Sequence, residues 1–196
     1  MTWPLRTARR ILPLCLIGLS LSVAPRRALA QANDNTMTAS EVEKLRDAAY
    51  IPNDRVDAYI KILDSRAKSI DDLLAKRRHA GREQDLHDLF DQLGAIADEL
   101  NDNLDEYAPK HRDLRKVLPK LLEATERWST SLRAAPGDPA YNVVRKIALD
   151  SVQDVHDAAA TMQTDQIAYF KAHPEAAKAE KERDNPNEQR PIDIPR

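Results

Sequence analysis

Four ionisable side chains follow one another at intervals of four residues in the middle of the chain: His79, Glu83, His87 and Asp91. Imidazole and carboxylate groups are common protein ligands of zinc and copper. Residues four apart also lie on the same side of a helix. The types and spacing of these residues therefore raise metal binding as the first chemistry to test.

The apolar stripe of the same predicted helix argues against a buried metal centre. At about 100° per residue, the four side chains lie roughly 40°, 80°, 120° and 160° from Leu93, which is near the centre of the stripe. They run from the edge of the core into solvent and do not converge on a helix-bundle interior. We interpret the set as a solvated face and predict no metal site, with His79, Glu83 and His87 as weak surface candidates only.

A second motif, His111-Arg112-Asp113-Leu114, copies the start of the protein-kinase catalytic loop. Leu118 stands where that loop needs an asparagine, and the chain has no Gly-rich loop to cover phosphates. We therefore treat the match as chance. The motif is instead predicted to begin a helix, with Asp113 in the first turn, where a carboxylate interacts favourably with the helix dipole.

The acidic stretch 98–106 raises the question of calcium. No register of a calcium-binding loop fits, because Glu106 falls where the loop needs glycine and Arg112 where it needs a bidentate glutamate. Leu100 and Leu104 recur inside the stretch at helical spacing. The acidic residues are therefore predicted to form one face of a helix, with at most nonspecific affinity for divalent ions.

Cofactor binding and catalysis have little support. Cys15 is the one cysteine, so a covalent haem motif is excluded, and the core stripes carry no Glu-x-x-His pair. No Gly-x-Ser-x-Gly nucleophile motif is present. We predict no catalytic residues, no cofactor-binding residues and no cofactor, and thus no enzyme. A noncovalent haem held by Met162 and His156 stays open as an alternative.

The first thirty residues differ in composition from the rest. An arginine-containing start is followed by the apolar run 11–23 and then by Ala28-Leu29-Ala30, a small-x-small cleavage pattern. This order is typical of a secretory signal peptide, and we predict cleavage between Ala30 and Gln31. The run is short for a membrane-spanning helix, which needs about 20 apolar residues. An uncleaved N-terminal anchor is the alternative.

The sequence predicts export more clearly than it predicts the export route. Arg9-Arg10 and Arg26-Arg27 would suit twin-arginine export, but the flanking residues match that pattern only partly, so the general secretory route is favoured. Cys15 lacks the small preceding residue that lipoprotein processing requires. We expect a periplasmic or extracellular protein with no transmembrane segment in the mature chain.

Removing the leader changes the charge of the protein. The 196-residue chain has 30 basic and 32 acidic residues, a formal net charge of −2. The leader carries five arginines and no acid, so 25 basic residues face 32 acidic ones in the mature chain, a net charge of −7. An acidic chain disfavours nucleic acid and anionic membranes as partners. Without cysteine, the domain depends on core burial alone.

Apolar residues recur at helical spacing from Ser40 to about Phe170, and only 4 glycines and 5% aromatic residues disfavour a β fold. A capping box at Ser40 and Glu43 predicts a short helix that ends near Tyr50. Longer helices are predicted over about 53–74, 82–107, 109–134 and 139–171. Pro119 should kink the fourth of these or mark its restart.

Long helices joined by short connections bury their stripes most simply as antiparallel neighbours. We predict an all-α fold, an antiparallel up-down-up-down four-helix bundle with coiled-coil-like seams and a short extra N-terminal helix. A three-helix core with a detached helix is the alternative. The domains are then a signal peptide (1–30), a flexible leader (31–39), the bundle (40–171) and a disordered, charged, Pro-containing tail (172–196).

These observations lead to an expected role. The protein is predicted to be a noncatalytic, exported binding module of the cell envelope, whose partner is a protein or another envelope component. A metal- or haem-carrying four-helix bundle is the alternative. The oligomeric state is left open.

Overall fold

The computed structural model describes residues 36–184, which form six α-helices and no strands. The helices are α1 (Ala39–Asp47), α2 (Pro52–Ala75), α3 (Arg82–Tyr107), α4 (Leu118–Ala134), α5 (Asn142–Ala172) and α6 (Pro174–Arg183). The all-α prediction is confirmed. The predicted signal peptide, with its cleavage site at Ala30 and Gln31, lies outside the described residues. None of the helices in residues 36–184 combines the length and apolar content needed to cross a membrane.

The capping box of α1 lies two residues before the predicted one at Ser40 and Glu43. The Thr38 hydroxyl accepts a hydrogen bond from the Glu41 N–H at 3.2 Å, and the Glu41 carboxylate accepts one from the Thr38 N–H at 2.7 Å. Both pairs fit the Ser/Thr-x-x-Glu pattern, so the pattern alone did not decide the register. The leader predicted over 31–39 accordingly ends earlier, because Met37 already packs against the core.

The turn between α2 and α3 lies where the sequence predicts it. Gly81 occupies the N-cap position of α3 with φ of 88°, a left-handed conformation that glycine adopts without a steric penalty. The stripes of α2 and α3 are buried as predicted. Their fully buried members include Val56, Tyr59, Leu63, Ile70, Phe90, Leu93, Ile96, Ala97, Leu100 and Leu104.

The fourth predicted helix is wrong at its N-terminus. It was predicted from about residue 109, but α4 begins at Leu118, and Pro119 lies in its first turn. Proline is favourable there because no intrahelical acceptor is available for an N–H at that position. Residues 108–117 form an irregular connection instead. Leu114 and Val117 are buried all the same, which explains their apolar spacing.

Each of the four long helices packs against two others. α2 contacts α3 and α4, and α5 contacts the same two helices. α2 and α4 run parallel, since Asp64 bonds to Trp128 and, further along both helices, Asp71 bonds to Ser131. α3 and α5 are parallel as well, since Phe90 contacts Tyr141 just before α5 and, further along both helices, Gly94 lies close to Ala148. Gly94 marks their close approach, because a Cβ added there would lie 3.2 Å from the Ala148 Cα atom.

Two of the three expected pairings of consecutive long helices are present. α2 lies antiparallel to α3, and α4 lies antiparallel to α5. α3 and α4 are consecutive but make no extensive contact in the described chain. The connection 108–117 allows this separation, since ten residues can extend up to about 33 Å. The sequence predicts a short connection that makes α3 and α4 neighbours. Within residues 36–184 the longer connection 108–117 takes its place, and the two helices do not pack extensively against each other.

The tail predicted to be disordered from residue 172 is wrong over its first part. Pro174–Arg183 form α6, and Pro174 ends the continuity with α5 while serving in the first turn of the new helix. α6 offers little apolar surface, which is why its composition predicts disorder. Its attachment is ionic instead, through Arg112 and Glu180. Residues 185–196 lie outside the described range.

Candidate functional site

The three weak metal candidates lie apart in polar surroundings. His79 precedes α3, and its Nδ1 is 3.0 Å from the Ala80 carbonyl oxygen. Glu83 lies 3.7 Å from Arg78, and the His87 Nδ1 lies 3.3 Å from an Asp88 carboxylate oxygen. Within residues 36–184, no three His, Cys, Asp or Glu side chains are grouped so that they could hold a metal ion.

The two side chains considered for haem lie on different sides of α5. The His156 Nδ1 is 2.9 Å from the Thr125 hydroxyl, which donates its one proton to the Leu122 carbonyl at 2.8 Å. The Nδ1 of His156 is therefore already engaged in a hydrogen bond with Thr125. Met162 is buried in the core, and six helical residues separate the two side chains by about 120°. The structure does not bring them together as a ligand pair.

A surface groove of about 690 Å³ lies between α1 and α3 and is called here the α1–α3 groove. Its apolar residues are Met37, Val42, Leu45, Ala49 and Ala95. Its polar residues are Thr36, Arg46, Arg55, Asp98, Glu99 and Asp102. This volume falls within the range of small-ligand and peptide-sized sites, about 300–1,000 Å³.

Arg66 of α2 fixes one side of the groove by holding α1. Its guanidinium donates to the two carboxylate oxygens of Glu41 at 2.9 and 2.8 Å, and to the Thr36 carbonyl at 3.1 Å. The Arg66 hydrogen bond is the main reason why the pKa of Glu41 falls from 4.5 to about 2. Leu45 adds an apolar anchor, since it is only 5% exposed. α1 is therefore fastened along α2 while its other side borders open space.

The apolar lining of the groove is partly exposed to solvent at Val42, which is called here the apolar step. Val42 lies one helical turn before the buried Leu45 and is 44% exposed. Met37 is partly buried against the core beside it. A side chain entering the groove would therefore meet apolar surface that water now covers, and covering it would stabilise the bound state.

The α3 wall of the groove is acidic. Asp98, Glu99 and Asp102 are exposed, and within residues 36–184 no basic group lies within ion-pair distance of any of them. Asp98 and Asp102 are four residues apart on one helix, a spacing at which like charges destabilise the helix by about 0.2–0.5 kcal/mol. The charge of this wall is thus left uncompensated by the fold.

The composition of α3 makes this wall part of a larger acidic face. The helix contains nine Asp and Glu residues and one arginine, Arg82. Arg82 is buried, and its guanidinium donates to the carbonyls of Leu73 and Leu74 at 3.2 and 3.1 Å. The one arginine of α3 therefore joins two helices and pairs with none of these carboxylates; Glu83 and Glu106 pair with Arg78 and Lys110 from outside the helix, whereas Asp98 and Asp102 have no such partner among the described residues.

A buried tyrosine is hydrogen-bonded to the α3 wall. The hydroxyl of Tyr59, which is fully buried, donates to Glu99 at 2.7 Å. Burial is the main cause of the raised pKa of Tyr59, and the neighbouring Glu99 carboxylate adds to it. Arg55 lies over the Tyr59 ring at 5.9 Å, and its buried Nε has no hydrogen-bond acceptor among the described residues. Arg55 therefore lines the groove with a hydrogen-bond donor, its Nε, that has no acceptor among the described residues.

A second surface groove lies beside α6. It has a volume of about 910 Å³ and is lined by Asn53, Arg115, Lys178 and neighbouring residues of both charges. It is lined by four acidic and four basic residues, of which Asp113 and Arg115 form an ion pair at 2.6 Å. Its lining charges therefore balance, whereas the α1–α3 groove has three acidic residues on α3 against Arg46 and Arg55.

The fold and the α1–α3 groove define an all-α protein with an open, partly apolar surface groove walled by unpaired carboxylates. No family model, no curated protein and no solved structure matches the chain.

The sequence pointed to only part of this site. It identified the acidic stretch 98–106 as one face of a helix, but it did not connect that face with Val42, because the two are far apart in the chain. One feature could have singled out Asp98 and Asp102. Neither has a Lys or Arg three or four residues away on α3, where most helical ion pairs form.

Proposed function

We propose that this protein is an exported, noncatalytic binding module of the cell envelope, located in the periplasm or outside the cell. The observation that carries the proposal is the α1–α3 groove, in which exposed Val42 adjoins the unpaired Asp98 and Asp102. Uncompensated charge beside exposed apolar surface lowers the stability of the free protein, and a ligand that covers both recovers that free energy.

The scaffold for this role is a four-helix bundle of α2 to α5 that runs up, down, up and down along the chain. The pairwise contacts of the four helices support such a bundle, as do the antiparallel pairs α2–α3 and α4–α5. The parallel pairs α2–α4 and α3–α5 complete it, with the connection 108–117 crossing one end. α1 forms the other side of the groove and is held against α2 by the Arg66–Glu41 ion pair and by the buried Leu45.

Export is supported by the N-terminal sequence. The arginine-containing start, the apolar run 11–23 and the Ala28-Leu29-Ala30 pattern form a secretory signal peptide. The experiment is fractionation of the native cells, followed by N-terminal sequencing of the mature protein. Gln31 as the first residue in an exported fraction supports the proposal, and an intact N-terminus in the cytoplasm contradicts it.

Binding at the groove is tested by a photoreactive amino acid at Val42, with Val143 as the matched position. Both side chains are exposed, and Val143 lies on α5, outside the groove residues. We expect one envelope component to be crosslinked from position 42 and not from position 143. The purified component must then bind the purified protein directly. Equal crosslinking from both positions would contradict a binding site in the groove.

The alternative role is a metal- or haem-carrying bundle. The two side chains considered as haem ligands, His156 and Met162, lie on different sides of α5, and His156 is already hydrogen-bonded to Thr125. Protein purified from its native compartment decides between the roles. A haem absorption band or metal at a stoichiometric level would replace the proposed binding role with cofactor transport or storage.

A further inference from the structure

We infer that the α1–α3 groove binds a basic peptide segment of a partner protein, with lysine or arginine side chains on Asp98 and Asp102 and a small apolar side chain against Val42. This inference rests on the proposed binding function and names its partner chemistry. It draws on three features of the groove: the negative charge of its α3 wall, the apolar step at Val42 and the Arg55 Nε, a donor without an acceptor among the described residues.

Charge complementarity at the α3 wall points to a cationic occupant there; of the two arginines that line the rest of the groove, Arg46 is paired with Glu43. Asp98 and Asp102 repel each other across one helical turn, and Asp105 continues the same exposed face one turn further. A lysine or arginine placed between the two carboxylates turns this repulsion into attraction. The formal charge of −7 for the chain after residue 30 adds a long-range field that steers cations towards the surface.

The apolar step distinguishes a peptide from a bare cation. A metal ion or a polyamine would satisfy the carboxylates but would leave the exposed part of Val42 in water. A peptide with an apolar side chain next to its basic residues covers both surfaces at once. The groove therefore fits an amphipathic basic segment better than it fits a simple ion.

Arg55 supplies the third contact. Its Nε is buried without an acceptor among the described residues, and its side chain is one of those that line the groove. A backbone carbonyl of a bound peptide is an acceptor of suitable chemistry, which the Nε reaches once the Arg55 side chain shifts, because this atom is covered in the free protein. A peptide offers carbonyls and cations together, whereas a polyamine offers only cations.

The test measures binding of a fluorescent synthetic peptide in which lysine alternates with leucine and alanine. We expect the double variant D98N/D102N to bind this peptide about tenfold more weakly than the unsubstituted protein. V42Q should weaken binding about fivefold through the lost apolar contact. Raising the ionic strength from about 0.1 M to about 1 M, which shortens the Debye length from about 10 Å to about 3 Å, should also weaken binding.

Matched variants control for net charge and for exposed apolar area. E123Q/E126Q changes the charge by the same amount on α4, which does not line the groove, and V143Q replaces an exposed valine on α5. Both should bind the peptide as the unsubstituted protein does. D98N/D102N should also melt at the same or a higher temperature, because it removes repulsion within α3. A lower melting temperature would show that the two carboxylates serve the fold.

Several results would overturn the inference. One is equal weakening by D98N/D102N and E123Q/E126Q, which would indicate general attraction to an acidic protein. Another is binding of Ca²⁺ alone at Asp98 and Asp102 that the peptide cannot displace. If crosslinking from Val42 captures a partner that lacks a basic segment, the groove still binds a partner, so only the inference about its chemistry fails.

Discussion

Arg112 and Glu180 are 68 residues apart in the chain, yet the Arg112 Nε donates a hydrogen bond to the Glu180 carboxylate at 2.8 Å. Their side chains are only 17% and 8% exposed. The same guanidinium donates to Asp184 at 2.8 Å, and the Arg112 carbonyl accepts from Gln166 at 2.7 Å. One arginine thus joins the connection before α4 to α5 and to α6, so it fastens the C-terminal helix to the rest of the protein.

Replacing Glu180 should release α6. Glu180→Ala leaves the largely buried Arg112 with one carboxylate partner in place of two, so we expect a loss of about 1–2 kcal/mol in the free energy of unfolding. Trypsin should cleave at Lys178 and Lys181 faster in this variant, because the detached helix unfolds locally. The measurements are urea denaturation and timed proteolysis. Glu182→Ala, at an exposed position of α6, is the control and should change neither.

The link between α1 and α2 should depend on pH. Arg66 lowers the pKa of Glu41 from 4.5 to about 2, so the bonded carboxylate stabilises the folded state above about pH 4.5. This contribution is lost as the pH falls from 4.5 towards 2. Glu41→Gln should therefore be less stable than the unsubstituted protein at pH 7, and the difference should shrink to near zero at about pH 2.

Urea denaturation at a series of pH values measures this difference directly. Glu43→Gln is the matched control, since Glu43 is exposed and pairs only with Arg46 on the same helix. The control should track the unsubstituted protein across the range. A constant difference for Glu41→Gln at all pH values would show that the Glu41 charge does not act through Arg66.

The close approach of α3 and α5 should tolerate only a small residue at position 94. A Cβ on Gly94 would lie 3.2 Å from the Ala148 Cα atom, so the larger side chain of Gly94→Val must separate the helices. We expect a loss of about 1–3 kcal/mol in the free energy of unfolding, typical of overpacking. Gly137→Ala is the control, because nothing lies within 4 Å of its added Cβ. An equally stable Gly94→Val variant would contradict this close packing.

His87 should be dispensable. Its side chain is 36% exposed and lies near only Asp88 among ion-pair partners. We expect His87→Ala to change the free energy of unfolding by no more than about 0.5 kcal/mol, as is usual for surface positions. The metal content of the purified protein should be the same with and without the substitution. A large loss of bound metal would show that the interpretation of His79, Glu83 and His87 as a solvated face is wrong.

Local patterns predicted most of the secondary structure because they depend on neighbours in the chain. The stripes of α2 and α3, the turn at Gly81 and the end of α5 near residue 171 follow from apolar spacing and from glycine and proline preferences. The same logic failed where two local patterns compete, as at Thr38 and Ser40. It also failed at Leu114 and Val117, whose spacing fits a helix although they belong to a connection.

Long-range contacts lay beyond these patterns. α6 has a composition typical of disorder, but Arg112 binds Glu180 from the far side of the sequence and makes the helix part of the fold. The kinase-like motif at 111–114 was predicted to begin a helix. That prediction is wrong, because the motif lies in the irregular connection 108–117. No spacing rule relates two residues whose contact depends on the path of α5 between them.

The sequence by itself determined the helical class, the approximate bounds of α2, α3 and α5, and the acidic face of α3, because each depends on composition or on residues within a few turns. The tertiary structure decided that α3 neighbours α5 rather than α4, that α6 docks, and that Val42 lies beside Asp98 and Asp102. These last relationships arise only when separate helices pack, since packing selects which exposed faces come together and which charges are left without partners.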